Sequence, residues 1–280
     1  IRREAPGFRL AALPQAMPPH KKDSREVFQW TTFLRRGETT PIKVIVWREG
    51  NYNGSIELSV EGLPPGITFQ GGQIPKDGKS ATLFLTASDK MESWEGFIRV
   101  SGVAKIGSKE IRRSARTGAL VHGIGDYNNE TPRSRPVAGG LALMVLADEQ
   151  APITIRAAGE TAIEAPEKGK LRLPLKVQRN GEYNEKLKLK VHGLAAFAKV
   201  AELEVDAKKT DPVLEVDLAK FKVPVGNHRL HFETTTKGKY HHPPEKDKKE
   251  VKKKDVNFRV YSEPIVFRVT QAEKEPKKKG

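Results

Sequence analysis

Residues 42–53 read Ile42-Lys43-Val44-Ile45-Val46-Trp47-Arg48-Glu49-Gly50-Asn51-Tyr52-Asn53, and residues 173–184 read Leu173-Pro174-Leu175-Lys176-Val177-Gln178-Arg179-Asn180-Gly181-Glu182-Tyr183-Asn184. Each is a β-rich apolar run that ends in Arg-x-Gly-x-Tyr-Asn, and the two stand 131 residues apart. The β-branched and apolar run reads as a strand, and the glycine after the arginine reads as its turn. The match continues outward, since Gly62-Leu63 stands opposite Gly193-Leu194 at the same offset; with one deletion it reaches Gly96, whose expected counterpart is Gly226. A strand, turn, strand and Gly-Leu exit repeated over roughly 50 residues marks a duplicated unit far more firmly than any single motif. The repeat predicts two homologous domains, at 1–122 and 139–271. Residues 123–138, rich in Gly, Asn and Pro, are expected to connect them.

Further strands follow from the same pattern. Ile56, Leu58 and Val60 alternate with Glu57, Ser59 and Glu61, and Leu187, Leu189 and Val191 alternate with Lys186, Lys188 and Lys190. Each predicts a strand with one wet face. Other candidates include Phe8–Leu13, Val27–Leu34, Ala81–Ala87, Gly96–Val103, Ile111–Val121, Leu141–Leu146, Val213–Leu218, His228–Thr234 and Phe258–Thr270. Turn signals such as Arg36-Gly37, Gly71-Gly72, Asp77-Gly78 and Asn180-Gly181 separate them, and no segment carries a convincing 3.6-residue period. Many short strands without intervening helices predict an all-β chain of two tandem immunoglobulin-like antiparallel β-sandwich domains.

Composition narrows the chemistry. The 280 residues contain no cysteine, so disulfides, thiolate metal sites and cysteine nucleophiles are excluded. No apolar stretch approaches the ~20 residues of a membrane-spanning helix. The chain opens at Ile1 without a basic-then-apolar leader and reads as a mature or excised part of something longer. The net charge of +15 is unevenly placed. Residues 237–256 form a Lys-rich insert with eight lysines and four acids, and the last ten residues, which include a basic tail at 272–280, hold four lysines and two acids. Both read as solvated segments with too little apolar surface to bury. Lys246, Lys248, Lys249, Lys252, Lys253 and Lys254 are the candidate polyanion contacts, although nucleic acid is not the expected partner.

A nucleophile elbow, a P-loop, a zinc-protease helix, an EF-hand loop and a dinucleotide fingerprint are all missing from the sequence, so no enzyme is expected. No cofactor and no metal site are expected either. Among the seven histidines, His228 and His231 fall on opposite faces of one strand, a poor metal pair. Asp126, Asn128, Asn129 and Glu130 offer oxygen ligands but equally describe a hydrophilic connector. Trp47, Tyr52 and Trp94 are the candidate ligand-binding residues, because aromatic rings beside turns can stack on a sugar. The competing reading is that Trp30, Trp47 and Trp94 cap the core, and that both repeated tyrosines pack their rings over a sandwich edge.

The run Gly50 to Ile67, with Gly62-Leu63-Pro64-Pro65-Gly66-Ile67 at its end, resembles bacterial immunoglobulin-like modules that accompany pre-peptidase C-terminal (PPC) domains in large exported proteins of planctomycete-type bacteria. Residues 98–115 and Ser262-Glu263-Pro264-Ile265 are also similar to that pattern, whereas Gly193-Leu194-Ala195-Ala196-Phe197 lacks its prolines. The resemblance implies fold and export and carries no catalytic residue. The expected function is a non-enzymatic spacer, adhesion or assembly module of a larger exported protein, extracellular, periplasmic or on the cell surface. Its partners would be other domains of the parent protein, cell-envelope components or a polysaccharide. Two alternatives are a carbohydrate-binding or accessory module of an extracellular hydrolase, and polyanion binding through the Lys-rich insert.

Overall fold

The computed structural model describes residues 7–14, 32–121, 133–137, 139–159, 163–240 and 254–272. The chain divides into two compact units, 1–150 and 151–280. The first contains β1 (Phe8–Pro14), β2 (Thr32–Arg36), β3 (Thr39–Arg48), β4 (Ile56–Glu61), β5 (Ile67–Gln70), β6 (Gln73–Ile74), β7 (Ser80–Ala87), β8 (Trp94–Ile106), β9 (Lys109–Ser114), β10 (Arg116–Val121), β11 (Arg133–Val137) and β12 (Leu141–Gln150). The second contains β13 (Ile153–Ala157), β14 (Ile163–Pro166), β15 (Lys170–Arg179), β16 (Leu187–His192), β17 (Leu203–Val205), β18 (Val213–Asp217), β19 (Gly226–Tyr240), β20 (Lys254–Tyr261) and β21 (Ile265–Thr270). One short 3-10 turn, Ala195–Lys199, follows β16. The described chain is therefore nearly all β, and no helix in it is long and apolar enough to cross a membrane.

In the first unit one sheet runs β11-β10-β1-β3-β7-β5 and the other β2-β12-β8-β4-β6, with β9 also paired to β8. Inward side chains from both sheets, among them Leu10, Ile42, Val44 and Leu83 from one and Leu34, Ile56, Ile98 and Leu143 from the other, form a single core. The second unit repeats this arrangement with β13-β15-β18 and β14-β21-β19-β16-β17, and β20 also pairs β19. Its core draws on Leu173, Leu175 and Leu214 and on Leu187, Leu230, Phe232 and Phe267.

The two units pair equivalent strands in the same register. Ile42 pairs Leu83 and Leu173 pairs Leu214; Ile56 pairs Ile74 and Leu187 pairs Val205. All four partners keep the 131-residue offset of the repeat. At β8 and β19 the offset becomes 132, because Val60 pairs Val100 while Val191 pairs Phe232. The expected deletion is thus one extra residue, and the counterpart of Gly96, which pairs Leu143, is His228, which pairs Phe267, rather than Gly226.

The expected domain boundary also moves. Leu141–Gln150 lies antiparallel to β8 and parallel to β2, so it closes the first unit instead of opening the second. Ile265–Thr270 does the same in the second unit, antiparallel to β19 and parallel to β14. At the step before each closing strand, Ala115 donates its N–H to Val100 O and Ser262 donates to Phe232 O. From Ser262 the chain needs only Glu263 and Pro264 to reach Ile265, whereas from Ala115 it makes an excursion over residues 116–140 before Leu141. In that excursion β10 runs parallel to β1 and β11 returns against β10. The Gly/Asn/Pro-rich run at 123–138, expected to be a linker, falls within this excursion; the backbone at 133–137 is strand, and residues 122–132 and 138 lie outside the described set.

Candidate functional site

The repeated Arg-x-Gly-x-Tyr-Asn signature turns out to build hairpin architecture. Arg48 donates to Gly54 O at 2.6 Å, Pro75 O at 2.9 Å and Gly78 O at 3.1 Å. Arg179 donates to Asp206 O and Lys209 O, both at 3.2 Å, the carbonyls 131 residues after Pro75 and Gly78. A guanidinium with its donors in a rigid fork suits two carbonyls of one turn at once. Partial burial lowers the pKa of Arg179 from its ordinary value. The ring of Tyr52 is half-buried, 6.2 Å from that of Phe8, and its hydroxyl donates to Ser55 O at 2.7 Å. Tyr183 is buried outright, edge-on to Phe258 at 5.6 Å.

The candidate aromatic residues do not converge. Trp47 is exposed on the outer face of β3, in register with Arg9. Trp94 begins β8 in the other sheet, half-buried against the core. Trp30 lies outside the described residues. So do Lys246, Lys248, Lys249, Lys252 and Lys253; Lys254 opens β20 opposite Tyr240. The ends of the Lys-rich insert are not loop. Lys237–Tyr240 and Lys254–Asn257 extend the β19/β20 ladder. Beside this base a cavity of about 470 Å³ is lined by Glu182, Asn184, Glu185, Lys237, Gly238, Lys239 and Asn257. Its wall mixes polar and apolar surface and carries both signs of charge, and Glu185 accepts from the Lys237 N–H at 3.4 Å.

A second constellation, which the sequence reading missed, lies on the outer face of β16, β19 and β20. His192 stands directly opposite His231, and their rings stack at 5.4 Å with planes 19° apart. Glu233, two residues along β19 on the same face, places Oε2 3.5 Å from His192 Nε2 and Oε1 3.3 Å from Arg259 Nε. The His192 contact has ion-pair length without hydrogen-bond geometry. Burial, and secondly the charge on His192, push the His231 pKa down to about 4. Tyr261, opposite Glu233, has its phenol pushed up by burial and by that carboxylate, with Arg259 offsetting part of the effect. His228 instead turns inward beside Phe267, 5.4 Å from its ring. The missed pair was visible only through register: His192 and His231 lie 39 positions apart, and nothing local says that they are cross-strand neighbours.

This cluster keeps a neutral imidazole at His231 beside a carboxylate and a guanidinium, and it can offer hydrogen bonds to a polar ligand. Among the described residues no group of three or more His, Asp or Glu side chains is arranged to hold a metal ion. No family model matches the chain, and no curated protein matches it either.

Proposed function

We propose that the chain is a non-enzymatic spacer of a larger exported or cell-surface protein, built as two tandem immunoglobulin-like sandwiches of the kind that accompany PPC domains. The observation that carries this reading is a parallel strand pair at the same register in both units. β2 runs alongside the closing strand β12, with Thr32 opposite Leu143, and β14 runs alongside β21, with Ile163 opposite Phe267. In a parallel pair the start of one strand lies at the same end as the start of the other. Tension that has passed β1, which precedes β2 in the chain, and that reaches the start of β2 and leaves at the end of β12 therefore pulls these two strands past each other. Several ladder bonds are then loaded together, as in shear, instead of being peeled one by one.

Stretching single molecules from end to end tests this. Two separate ruptures are expected, each releasing about 3.6 Å of contour per unfolded residue. Smooth extension at low force without separate peaks would remove the spacer reading. Binding to a glycan that requires Trp47 or Trp94 would favour an accessory module of a hydrolase instead.

A further inference from the structure

We propose that the outer face of β2, β12 and β8 in the first unit is a docking surface for a second copy of this chain. The inference goes beyond the spacer reading and does not depend on it. Three large apolar side chains stand on that face: Phe33 at 38%, Met144 at 39% and Phe97 at 56% exposure. They are neighbours across the ladder, since Phe33 is directly opposite Met144 on β12 and Phe97 is opposite Ala142 on the other edge of the same strand.

The second unit supplies an internal control for what this fold requires there. The position of Phe33 is taken by Glu164, that of Met144 by Arg268 and that of Phe97 by Arg229, in the same paired registers. Glu164 and Arg268 make an exposed ion pair at 3.7 Å. Of the four matched positions only the partner of Arg229, Val266, is apolar and exposed in the second unit. The ladder thus tolerates an ionic outer face, and an apolar one is a property of the first unit's sequence, with a cost in water that the fold does not impose.

The rim points to self-association. Glu95 stands opposite Met144, and beyond Phe97 the exposed Arg99 and Arg112 approach Glu61 at 3.9 and 3.1 Å. Arg35 lies over the Phe33 ring, 5.1 Å from its centroid, and both signs of charge border the apolar patch, so a second copy laid on this face can set arginine against glutamate. A polyanion would meet Glu61 and Glu95, and a polycation would meet Arg99 and Arg112. A patch of three large side chains is below the roughly 800 Å² per partner of a stable complex, so the dimer belongs to the weak class, with a Kd of order 10–100 µM. Because each copy carries +15, added salt screens the repulsion between copies and strengthens the dimer.

The experiment is sedimentation equilibrium on the full chain from about 1 to about 500 µM at two salt concentrations. The wild type is expected to approach dimer mass, more so at the higher salt. The triple variant Phe33→Glu, Met144→Arg, Phe97→Arg, which installs the second unit's residues, is expected to weaken association at least tenfold with its melting temperature within a few degrees of wild type. If the triple variant unfolds, Met144→Arg alone carries the comparison. A wild type that stays monomeric throughout overturns the proposal, whether or not it adsorbs to lipid vesicles or another protein. So does a folded variant that dimerises as well as the wild type.

Discussion

The ring of Tyr183 occupies the space that any side chain at position 238 would need: a β-carbon built on Gly238 would collide with Cδ1 and Cε1 of that ring. Tyr183 comes from the repeated hairpin, and Gly238 comes from the paired base of the Lys-rich insert. The base of the insert is therefore anchored to the core of the second unit. Gly238→Ala forces a buried ring aside in a packed setting and is expected to destabilise the second unit by about 1–3 kcal/mol. Tyr183→Ala leaves a cavity and is expected to cost about 3–5 kcal/mol. Urea unfolding followed by a probe in the second unit reads both; a Gly238→Ala chain as stable as wild type would mean that the ring gives way freely.

Arg48 and Arg179 predict a matched pair of defects. Each holds two carbonyls of the turn 27 and 30 residues further on. Replacing either by alanine leaves those carbonyls to water and is expected to cost about 2 kcal/mol. Lysine should rescue poorly, because an ammonium is a compact point charge that cannot present the same fork. Arg48→Ala should lower the melting transition of the first unit and Arg179→Ala that of the second, which calorimetry separates. Equal recovery by lysine in both units would show that charge, not geometry, is what the turn requires.

Much of the architecture is legible in the sequence because one offset governs it. Strand, turn and Gly-Leu exit recur at 131 residues, and the structure keeps that spacing from Thr32 and Ile163 through Leu83 and Leu214. The offset fails at the closing strands. Leu141 matches Ile265 at 124, because the longer β19/β20 hairpin with the Lys-rich insert first widens the offset to 147 at Ala115 and Ser262, and the excursion over 116–140 then takes it back by 23. A repeat search tuned to one spacing loses the last strand there, and a run of Gly, Asn and Pro then passes for a linker. The face chemistry was hidden for a different reason. Phe33 and Met144, like His192 and His231, meet only through ladder register, which short alternating segments specify to the nearest face but not to the nearest neighbour.

Gly62 and Gly193 end equivalent strands with left-handed φ of +82° and +115°. A β-carbon at 193 would lie 2.5 Å from Arg229 O, and one at 62 would lie 3.1 Å from Phe97 O. Both obstacles are backbone and cannot rotate away. Gly193→Ala is expected to cost more than about 2 kcal/mol, combining φ strain with the clash, and Gly62→Ala distinctly less. Chevron or equilibrium unfolding of the two variants checks the order; a reversed order would place the strain elsewhere.

The His192/His231 stack predicts an acid-sensitive second unit. The folded chain holds His231 neutral down to about pH 4, whereas an unfolded chain takes the proton near 6.5. His192, Glu233, Arg259 and Tyr261 share that face, and burial, then the charge on His192, oppose protonation of His231. Between the two pKa values the unfolded state binds more protons than the folded one, so stability rises with pH across that window and falls on acidification through it. Above about pH 7.5 this group contributes no slope, and the full loss by pH 4 is of order 3 kcal/mol. His231→Asn should flatten the dependence between pH 7 and 5, a range in which most carboxylates are still ionised in both states. Urea midpoints at pH 7.5, 6 and 5 measure the difference between wild type and variant. Parallel curves for the two would show that the buried imidazole titrates as freely in the folded chain as in the unfolded one.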